Sequence, residues 1–386
     1  MTGIKPSIWV LADDLTGAAE IGGIAFQHGL KARILIDRKA NAVVREGVSI
    51  MDAGSRNFEP EQACQAVREL ISGLDPTGYD LVFMKVDSVL RGPVIAHAAA
   101  FMEQSGFDRA LMIPANPSKN RIIRDGRYVI DGVPVNETGF RMDPLHPRLT
   151  ASISGLLNDD GTVVTGNDPS MLLKGKIYIP DVGSVEDVER LVSDIFRPGI
   201  LQAGGSDHFR ALLSVILHLV PVRDPDPLQK PLSHHFIIGS RSETSIRSMA
   251  RLEELGYMIF QLPASAIRDD QAYAEWTTLI GYKVKGGEKV VVSGPSGTVA
   301  EPVDAGNIAG KVALAAKVVA GHSERGTRLF IEGGETASSF FREMGWDQVD
   351  LCHFHDVGVV TLQPEGAGLS VTVKPGSYPW PETLLE

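Results

Sequence analysis

Residues 10–20 constrain the fold more than any other stretch of the sequence. An apolar run, residues 8–12, ends in Asp13 and Asp14, and a threonine, a glycine and small helix-forming residues follow. This pattern predicts a buried strand, a tight polar turn and the first turn of a helix. In an open α/β sheet such a turn lies at the carboxyl end of the strand, where ligands usually bind. The two carboxylates repel each other unless a metal, a cation or a bound hydroxyl group uses them. The alternative is an N-cap aspartate beside a solvated neighbour.

Further apolar runs alternate with helical patterns along the first half of the chain. In the long irregular stretch 114–147, two short β-like segments, 127–130 and 133–135, flank Asp131-Gly132 and predict a hairpin. The alternation elsewhere predicts a parallel sheet covered by helices. Strands are predicted at residues 32–36, 48–52, 81–86, 110–113, 177–180 and 200–201, and helices at 22–28, 59–72, 93–105 and from 185 onward.

The length of the chain and a proline-rich segment predict two domains. With 386 residues, the chain exceeds the usual size of one hydrophobic core. Residues 221–232 are rich in proline and charge, which is typical of a linker. We therefore expect an α/β fold with domains at 1–221 and 233–386, a linker at 222–232 and a cleft between the domains. Each domain is expected to be a largely parallel sheet covered by helices, with strands of the second domain at residues 236–238, 257–262, 289–292, 328–331 and 371–373.

Charge and cysteine content narrow the class of protein. A net charge of −11 argues against general affinity for nucleic acid or anionic membranes. The two cysteines, Cys64 and Cys352, fit a reducing compartment and give no disulfide framework. The N-terminal residues lack the layout of a signal peptide, and the longest apolar stretch, residues 211–222, is too short to span a bilayer. We therefore expect a cytoplasmic protein without nucleic-acid or membrane partners.

One strand end in the first half concentrates charged side chains. Lys85, Asp87, Ser88 and Arg91 lie within seven residues of one another. The planar fork of arginine suits a carboxylate and lysine is a compact cation, so the cluster favours an anionic, hydroxylated small molecule. The alternative is an internal salt bridge between Asp87 and Arg91. Arg56 follows another predicted strand and could add a cation, although a surface arginine is the commoner explanation.

Three glycine-rich turns in the second half favour a nucleotide site. They lie at residues 239–242, 293–298 and 333–338, each after a predicted strand. Amide groups and hydroxyls at such turns can cradle phosphates, although glycines also close ordinary βα loops. Neither a P-loop, nor a dinucleotide fingerprint, nor a protein-kinase signature is present. Residues 352–356 contain a cysteine and two histidines but lack paired metal-ligand spacing, so no metal ligands are predicted.

The motifs resemble those of the four-carbon acid sugar kinase family, whose members use ATP to phosphorylate threonate, erythronate or oxo-tetronate. The resemblance covers nearly the whole chain. The loop at 114–121 and the segments 355–358 and 374–378 depart from the usual family patterns. The resemblance depends on residues 12–18, 85–92, 132–138, 239–244, 333–336 and 374–376.

The resemblance implies an N-terminal acid-sugar domain and a C-terminal nucleotide domain. Asp13 and Asp14 would face the sugar hydroxyls, and one of them, left open here, would act as the base. Arg91, with Arg56 and Lys85, would hold the substrate carboxylate, while a terminal hydroxyl attacks the γ-phosphate of ATP carrying Mg²⁺. The implied sugar pocket is completed by Thr16, Asp87 and Ser88, and the implied ATP site comprises Ser240, Ser293, Gly294, Gly333, Gly334, Glu335, Thr336, Lys374 and Gly376.

Two alternative functions remain compatible with the sequence. One is a metal-dependent hydrolase or isomerase of sugar acids that does not use ATP. The other is a non-catalytic sugar-acid sensor that keeps the cleft but has lost turnover. The expected partners are a sugar acid and ATP. The sequence does not decide the oligomeric state and is compatible with a homo-oligomer.

Overall fold

The described residues fall into two compact units. The computed structural model describes residues 5–36, 46–143, 145–222, 230–240, 242–295, 305–376 and 378–385. Unit 1 takes the described residues of 1–32 and 43–223, and unit 2 those of 33–42 and 224–386. Most of the predicted linker, residues 222–232, lies outside the described residues. None of the described helices is long and apolar enough to cross a membrane.

Strands and helices alternate along most of this chain. The strands are β1 (Ser7–Ala12), β2 (Ala32–Leu35), β3 (Gly47–Asp52), β4 (Leu81–Lys85), β5 (Arg109–Ile113), β6 (Arg121–Arg124), β7 (Arg127–Ile130), β8 (Val133–Pro134), β9 (Val163–Gly166), β10 (Ile177–Pro180), β11 (Ile200–Gly204), β12 (His234–Ile238), β13 (Met258–Gln261), β14 (Val290–Ser293), β15 (Arg328–Glu332), β16 (Gln348–Asp356), β17 (Val359–Pro364) and β18 (Ser370–Lys374). The helices are α1 (Leu15–Gln27), α2 (Pro60–Leu70), α3 (Val94–Ser105), α4 (Ile153–Leu157), α5 (Val185–Ile195), α6 (Ser206–Ala211), α7 (Glu243–Glu254), α8 (Asp270–Lys285), α9 (Ala305–His322) and α10 (Gly334–Glu343).

Unit 1 is built on a parallel sheet in the order β3-β1-β4-β11-β5-β10-β9. Ala12 at the end of β1 lies opposite Asp52 in β3 and Lys85 in β4, so these three strands end at the same level. The chain goes from β1 to β3 on one side and later to β4 on the other. The carboxyl ends of β1 and β4 therefore form a topological switch point, where α/β sheets usually bind ligands.

A small antiparallel sheet, β6-β7-β8, lies within the irregular stretch of unit 1. The predicted hairpin across Asp131-Gly132 is confirmed, and both residues have the positive φ that a two-residue hairpin turn requires. Strand β6 was missed, although Asp125-Gly126 carries the same turn signal and also has positive φ. This extra strand matters because it begins at Arg121.

Unit 2 contains five parallel strands and an antiparallel extension, in the order β13-β14-β12-β15-β18-β17-β16-β2. The predicted largely parallel, helix-covered sheet is thus confirmed for both units, while the β16–β17 hairpin was missed. Residues 352–356 form part of β16. The predicted first domain included residues 33–35, but the structure places them in unit 2 because β2 pairs with β16 and Arg33 bonds to Asp350 at 2.7 Å.

Aromatic packing forms one side of the core of unit 2. Phe236 and Phe330 stack with ring centroids 4.7 Å apart, and the Trp380 ring meets both edge-on. Leu252 of α7 belongs to the same cluster. Strand β12 lies between β14 and β15. After β12 the chain forms β13 and β14 on one side of it and then β15 on the other side. The carboxyl ends of β12 and β15 are therefore the switch point of this unit.

Candidate functional site

The aligned strand ends of unit 1 bring Asp13, Arg56 and Asp87 together. The Arg56 guanidinium donates from Nε and Nη2 to both oxygens of Asp13, at 2.7 and 2.9 Å. Its Nη1 donates to Asp14 at 2.5 Å, and its Nη2 lies 3.9 Å from Asp87 Oδ1. The cation that relieves repulsion between the two adjacent aspartates is therefore a residue of the protein itself.

Asp14 is the N-cap of α1. It accepts hydrogen bonds from the Gly17 amide at 2.7 Å and the Thr16 hydroxyl at 2.6 Å. The alternative N-cap interpretation is confirmed for Asp14, but Asp13 is buried rather than solvated, because Arg56 neutralises it. The Asp14 side chain is 19% exposed and that of Asp13 is 5% exposed, so Asp14 is the one more accessible to a ligand.

Asp87 and Arg91 form the internal salt bridge that the sequence left as an alternative. Arg91 donates to both oxygens of Asp87, at 3.0 and 2.8 Å, and to Asp143 at 3.1 Å. Burial alone would raise the pKa of Asp87, but Arg91 and Arg56 hold that pKa well below its usual value. Asp87 is therefore a permanent carboxylate at neutral pH.

Lys85 takes part in a second cluster, which the sequence analysis missed. Its ammonium lies 3.3 Å from Glu20 Oε2 in α1, and the other oxygen of Glu20 accepts a hydrogen bond from Lys119 at 2.8 Å. Lys119 is in the loop at 114–121, where Asn116 and Ser118 are anchored by bonds to Asp207. The departure of this loop from the family pattern was the signal that could have drawn attention to it.

Arg121 and Ser88 complete the polar surface of unit 1. Arg121 Nη1 donates to the Ser88 hydroxyl at 2.5 Å. The guanidiniums of Arg121 and Arg91 lie 5.6 and 5.8 Å from the centre of the Phe140 ring. Ser88 and Arg91 were predicted from the sequence, whereas Arg121, Phe140 and Asp143 were not, because these three come from the stretch without clear periodicity.

The buried Glu20 gives a pH-dependent prediction. Burial alone would raise its pKa, but Lys85 and Lys119 outweigh burial and lower the pKa from 4.5 to about 2. A lowered folded-state pKa stabilises the fold above pH 4.5, and this contribution is lost as the pH falls towards 2. Relative to Glu20→Gln, the wild type should therefore lose about 1 kcal/mol of its stability advantage between pH 6 and pH 4.

Hydrogen exchange of the α1 amides in both proteins at these two pH values measures that difference. An advantage that stays constant, or grows as the pH falls, would contradict the assigned ion pairs. Glu103→Gln is the matched control, since the exposed Arg68–Glu103 pair is screened by solvent and its loss should leave the stability of α1 nearly unchanged at both pH values.

In unit 2, the turns after β12, β15 and β18 contact one another. A Cβ atom at Gly239 would collide with the Thr336 hydroxyl, and one at Gly376 would lie 2.5 Å from Ser240 Oγ. Gly333 has a φ of 102° and precedes Gly334, the first residue of α10. The structure thus brings together Ser240, Gly333, Gly334, Thr336 and Gly376 at the starts of α7 and α10.

The remaining predicted nucleotide residues lie around these turns. Glu335 is exposed in the first turn of α10. Ser293 ends β14 opposite Ile238 of β12, and the amide of Gly294 donates to the Ile238 carbonyl at 3.3 Å. Residues 241 and 296–298 of the predicted turns lie outside the described residues.

Lys374 is fully buried. Its ammonium lies 2.7 Å from Glu332 Oε2 and donates to the carbonyls of Tyr378 and Pro375 at 2.6 and 3.3 Å. Glu332 also accepts a hydrogen bond from Ser245 of α7. Burial lowers the pKa of Lys374 and Glu332 partly offsets this effect. The lysine therefore holds the loop after β18, and sequence reasoning missed Glu332 as its partner.

Comparison with known proteins places both units among relatives. Residues 8–195 match the model of a sugar-binding N-terminal domain family. A D-threonate kinase of Bordetella bronchiseptica is 25% identical over 403 aligned positions, covering 98% of this chain and 96% of that protein. A 3-oxo-tetronate kinase of Methylobacterium radiotolerans is 24% identical over 390 positions, covering 92% of each.

A solved structure is similar over the same length. A Salmonella typhimurium protein, described as a proposed tRNA synthase, superposes with a TM-score of 0.78 and 16% identity, covering 98% of this chain and 97% of that one. At this identity the likeness shows the fold alone.

Proposed function

Since the chain belongs to the four-carbon acid sugar kinase family, we propose that it transfers the γ-phosphoryl group of ATP to a terminal hydroxyl of a four-carbon sugar acid such as threonate, erythronate or 3-oxo-tetronate. The observation that carries the proposal is the cluster of Asp13, Asp14 and Asp87 at the switch point of unit 1. Carboxylates held in place by arginines can accept hydrogen bonds from several sugar hydroxyls at once.

Asp14 is the base in this proposal. Its carboxylate is fixed by three donors and still reaches the surface, whereas Asp13 is almost fully buried. A base must come within hydrogen-bond distance of the hydroxyl whose proton it accepts. Asp14 satisfies this requirement better than Asp13, because its carboxylate is both held in place and partly exposed.

Unit 2 is the proposed ATP site. Helices α7 and α10 of this unit begin after the turns that follow β12 and β15, and their first backbone amides can donate hydrogen bonds to a phosphate. Close packing of Gly239 against Thr336 and of Gly376 against Ser240 holds these turns together. These features fit phosphate groups. In this proposal Ser240, Gly333, Gly334 and Thr336 lie nearest the phosphates, while Ser293, Gly294, Glu335 and Gly376 border them.

Phosphoryl transfer depends mainly on positioning and on neutralisation of charge. Mg²⁺ carried on the ATP phosphates supplies part of that neutralisation. Among the described residues, no group of three or more histidine, cysteine or acidic side chains is arranged to hold a metal ion. The residues of the chain position the hydroxyl, accept its proton and hold the phosphates.

The experiment is a measurement of ADP release with Mg-ATP across a panel of threonates, erythronates and their oxo-acids, with ATP binding measured separately by calorimetry. We expect turnover of at least one acid. ATP binding without turnover of any acid or of longer sugar acids would favour a sensor. A protein that binds no ATP would contradict the proposal and favour the metal-dependent alternative.

A further inference from the structure

The charged side chains near the strand ends of unit 1 differ in whether a protein carboxylate already occupies them. Arg56 and Arg91 face the four carboxylates of Asp13, Asp14, Asp87 and Asp143, at distances between 2.5 and 3.1 Å for the hydrogen-bonded pairs. Two formal positive charges thus face four formal negative charges. A substrate carboxylate placed against either arginine would meet repulsion from the aspartates that already occupy it.

The pKa shifts of Asp143 and Arg56 favour the charged form of both side chains. Burial would raise the pKa of Asp143, but the backbone amide of His146 and the Arg91 guanidinium lower it. Burial would lower the pKa of Arg56, but Asp13, Asp14 and Asp87 raise it well above its usual value. The ion pairs are therefore kept across the physiological range of pH.

Three other cations, Lys85, Lys119 and Arg121, face fewer carboxylates. Lys85 and Lys119 both contact the carboxylate of Glu20. Arg121 is half-buried, and within the part of the chain that the structure describes it has no carboxylate partner. It is positioned instead by the Ser88 hydroxyl and the Phe140 ring, both of which are neutral. Its charge is thus held in place without being cancelled.

We propose that Arg121 binds the carboxylate of the sugar acid, with Lys119 adding positive potential. Arg56 and Arg91 instead hold the aspartates that accept the sugar hydroxyls. This inference rests on the proposed function and deepens it, because it reassigns the carboxylate from Arg56, Arg91 and Lys85 to a residue on β6. A guanidinium whose fork is not already filled by a protein carboxylate can meet a substrate carboxylate with two donors.

Calorimetric binding of the sugar acid to Arg121→Gln and Arg121→Lys tests the inference, with kcat/KM measured in parallel. Arg121→Gln should weaken binding of the acid about 10- to 100-fold, the loss expected for one charge-assisted interaction. Arg121→Lys should recover a large part of it, since the charge remains. Binding of the neutral polyol of the same stereochemistry should change by less than about threefold, because the polyol offers no charge to the guanidinium. Arg124→Gln, an exposed arginine on the same strand, is the matched control.

Equal losses in Arg121→Gln and Arg121→Lys, or equal losses for acid and polyol, would assign Arg121 a packing role and overturn the inference. Unchanged acid binding in Arg121→Gln would overturn it as well. The proposed function is tested separately, because it is contradicted if the wild type shows no turnover. The role of Arg121 can still be tested in that case, by comparing the binding of D-threonate without ATP between the wild type and the variants. A wild type that binds no sugar acid would overturn both.

Discussion

Replacing Asp14 by asparagine should lower kcat by about 100- to 10,000-fold, the usual contribution of a general base. The asparagine amide cannot accept the hydroxyl proton. Its oxygen can still accept the hydrogen bond from the Gly17 amide, and asparagine is as good an N-cap as aspartate, so α1 should remain folded. The affinity for ATP should change by less than about twofold, because the substitution leaves unit 2 untouched.

The test measures kcat by steady-state kinetics and ATP affinity by calorimetry in the wild type, Asp14→Asn and Asp13→Asn. The Asp13→Asn variant shows whether the neighbouring carboxylate is the base instead. Asp13 receives both donors of a bidentate Arg56 contact and is buried, so its loss should lower stability as well as activity. Near-normal kcat in Asp14→Asn with a large loss in a folded Asp13→Asn would move the role of base to Asp13. Near-normal kcat in both would refute a carboxylate base at this turn.

The alternation of apolar runs and helical patterns was enough to predict the architecture, and the same pattern indicated the strand ends at which the candidate site lies. Asp13, Arg56 and Asp87 each follow a strand, and parallel strands in register bring such residues to one edge. The sequence could not assign partners among them. Lys85 and Asp87 are two residues apart, yet Lys85 bonds to Glu20 and Asp87 to Arg91, because each choice depends on how α1 and the loop at 139–143 pack on the strand ends.

Contacts between distant parts of the chain explain why the pairing of β2, the strand β16 and the packing of Gly239 were not predicted from the sequence. Strand β2 pairs with β16, more than three hundred residues away, and no local pattern reveals such an antiparallel partner. In β16 the alternation of Val349 and Leu351 with polar residues was present, but the histidines and the cysteine that follow drew attention to metal chemistry instead. The glycine at 239 was predicted as part of a phosphate turn, while its steric reason, Thr336, appears only in the folded protein.

The family resemblance implies that Lys374 lies in the ATP site, whereas the structure pairs it with the buried Glu332. This ion pair gives the largest expected effect on stability. Lys374→Met should lower the unfolding free energy by about 3–5 kcal/mol, because it leaves the fully buried Glu332 without its counter-charge. The double variant Lys374→Met with Glu332→Leu removes both charges and should return close to the wild-type value. Glu254→Gln, in the exposed Arg251–Glu254 pair of the same unit, should cost at most about 1 kcal/mol.

Urea unfolding followed by fluorescence in a Trp9→Phe background measures these differences, since the remaining tryptophans, Trp276, Trp346 and Trp380, all lie in unit 2. A single variant as stable as the double variant would contradict the buried ion pair. The stable double variant also decides what Lys374 does in function. A loss of ATP affinity of about 10-fold or more in the double variant would show that Lys374 contributes to the nucleotide site, through the loop that carries Gly376 or through contact with a phosphate. An ATP affinity within about threefold of the wild type would instead limit the role of Lys374 to stability of the fold, because neither a phosphate contact nor a loop that the nucleotide needs would then have been lost.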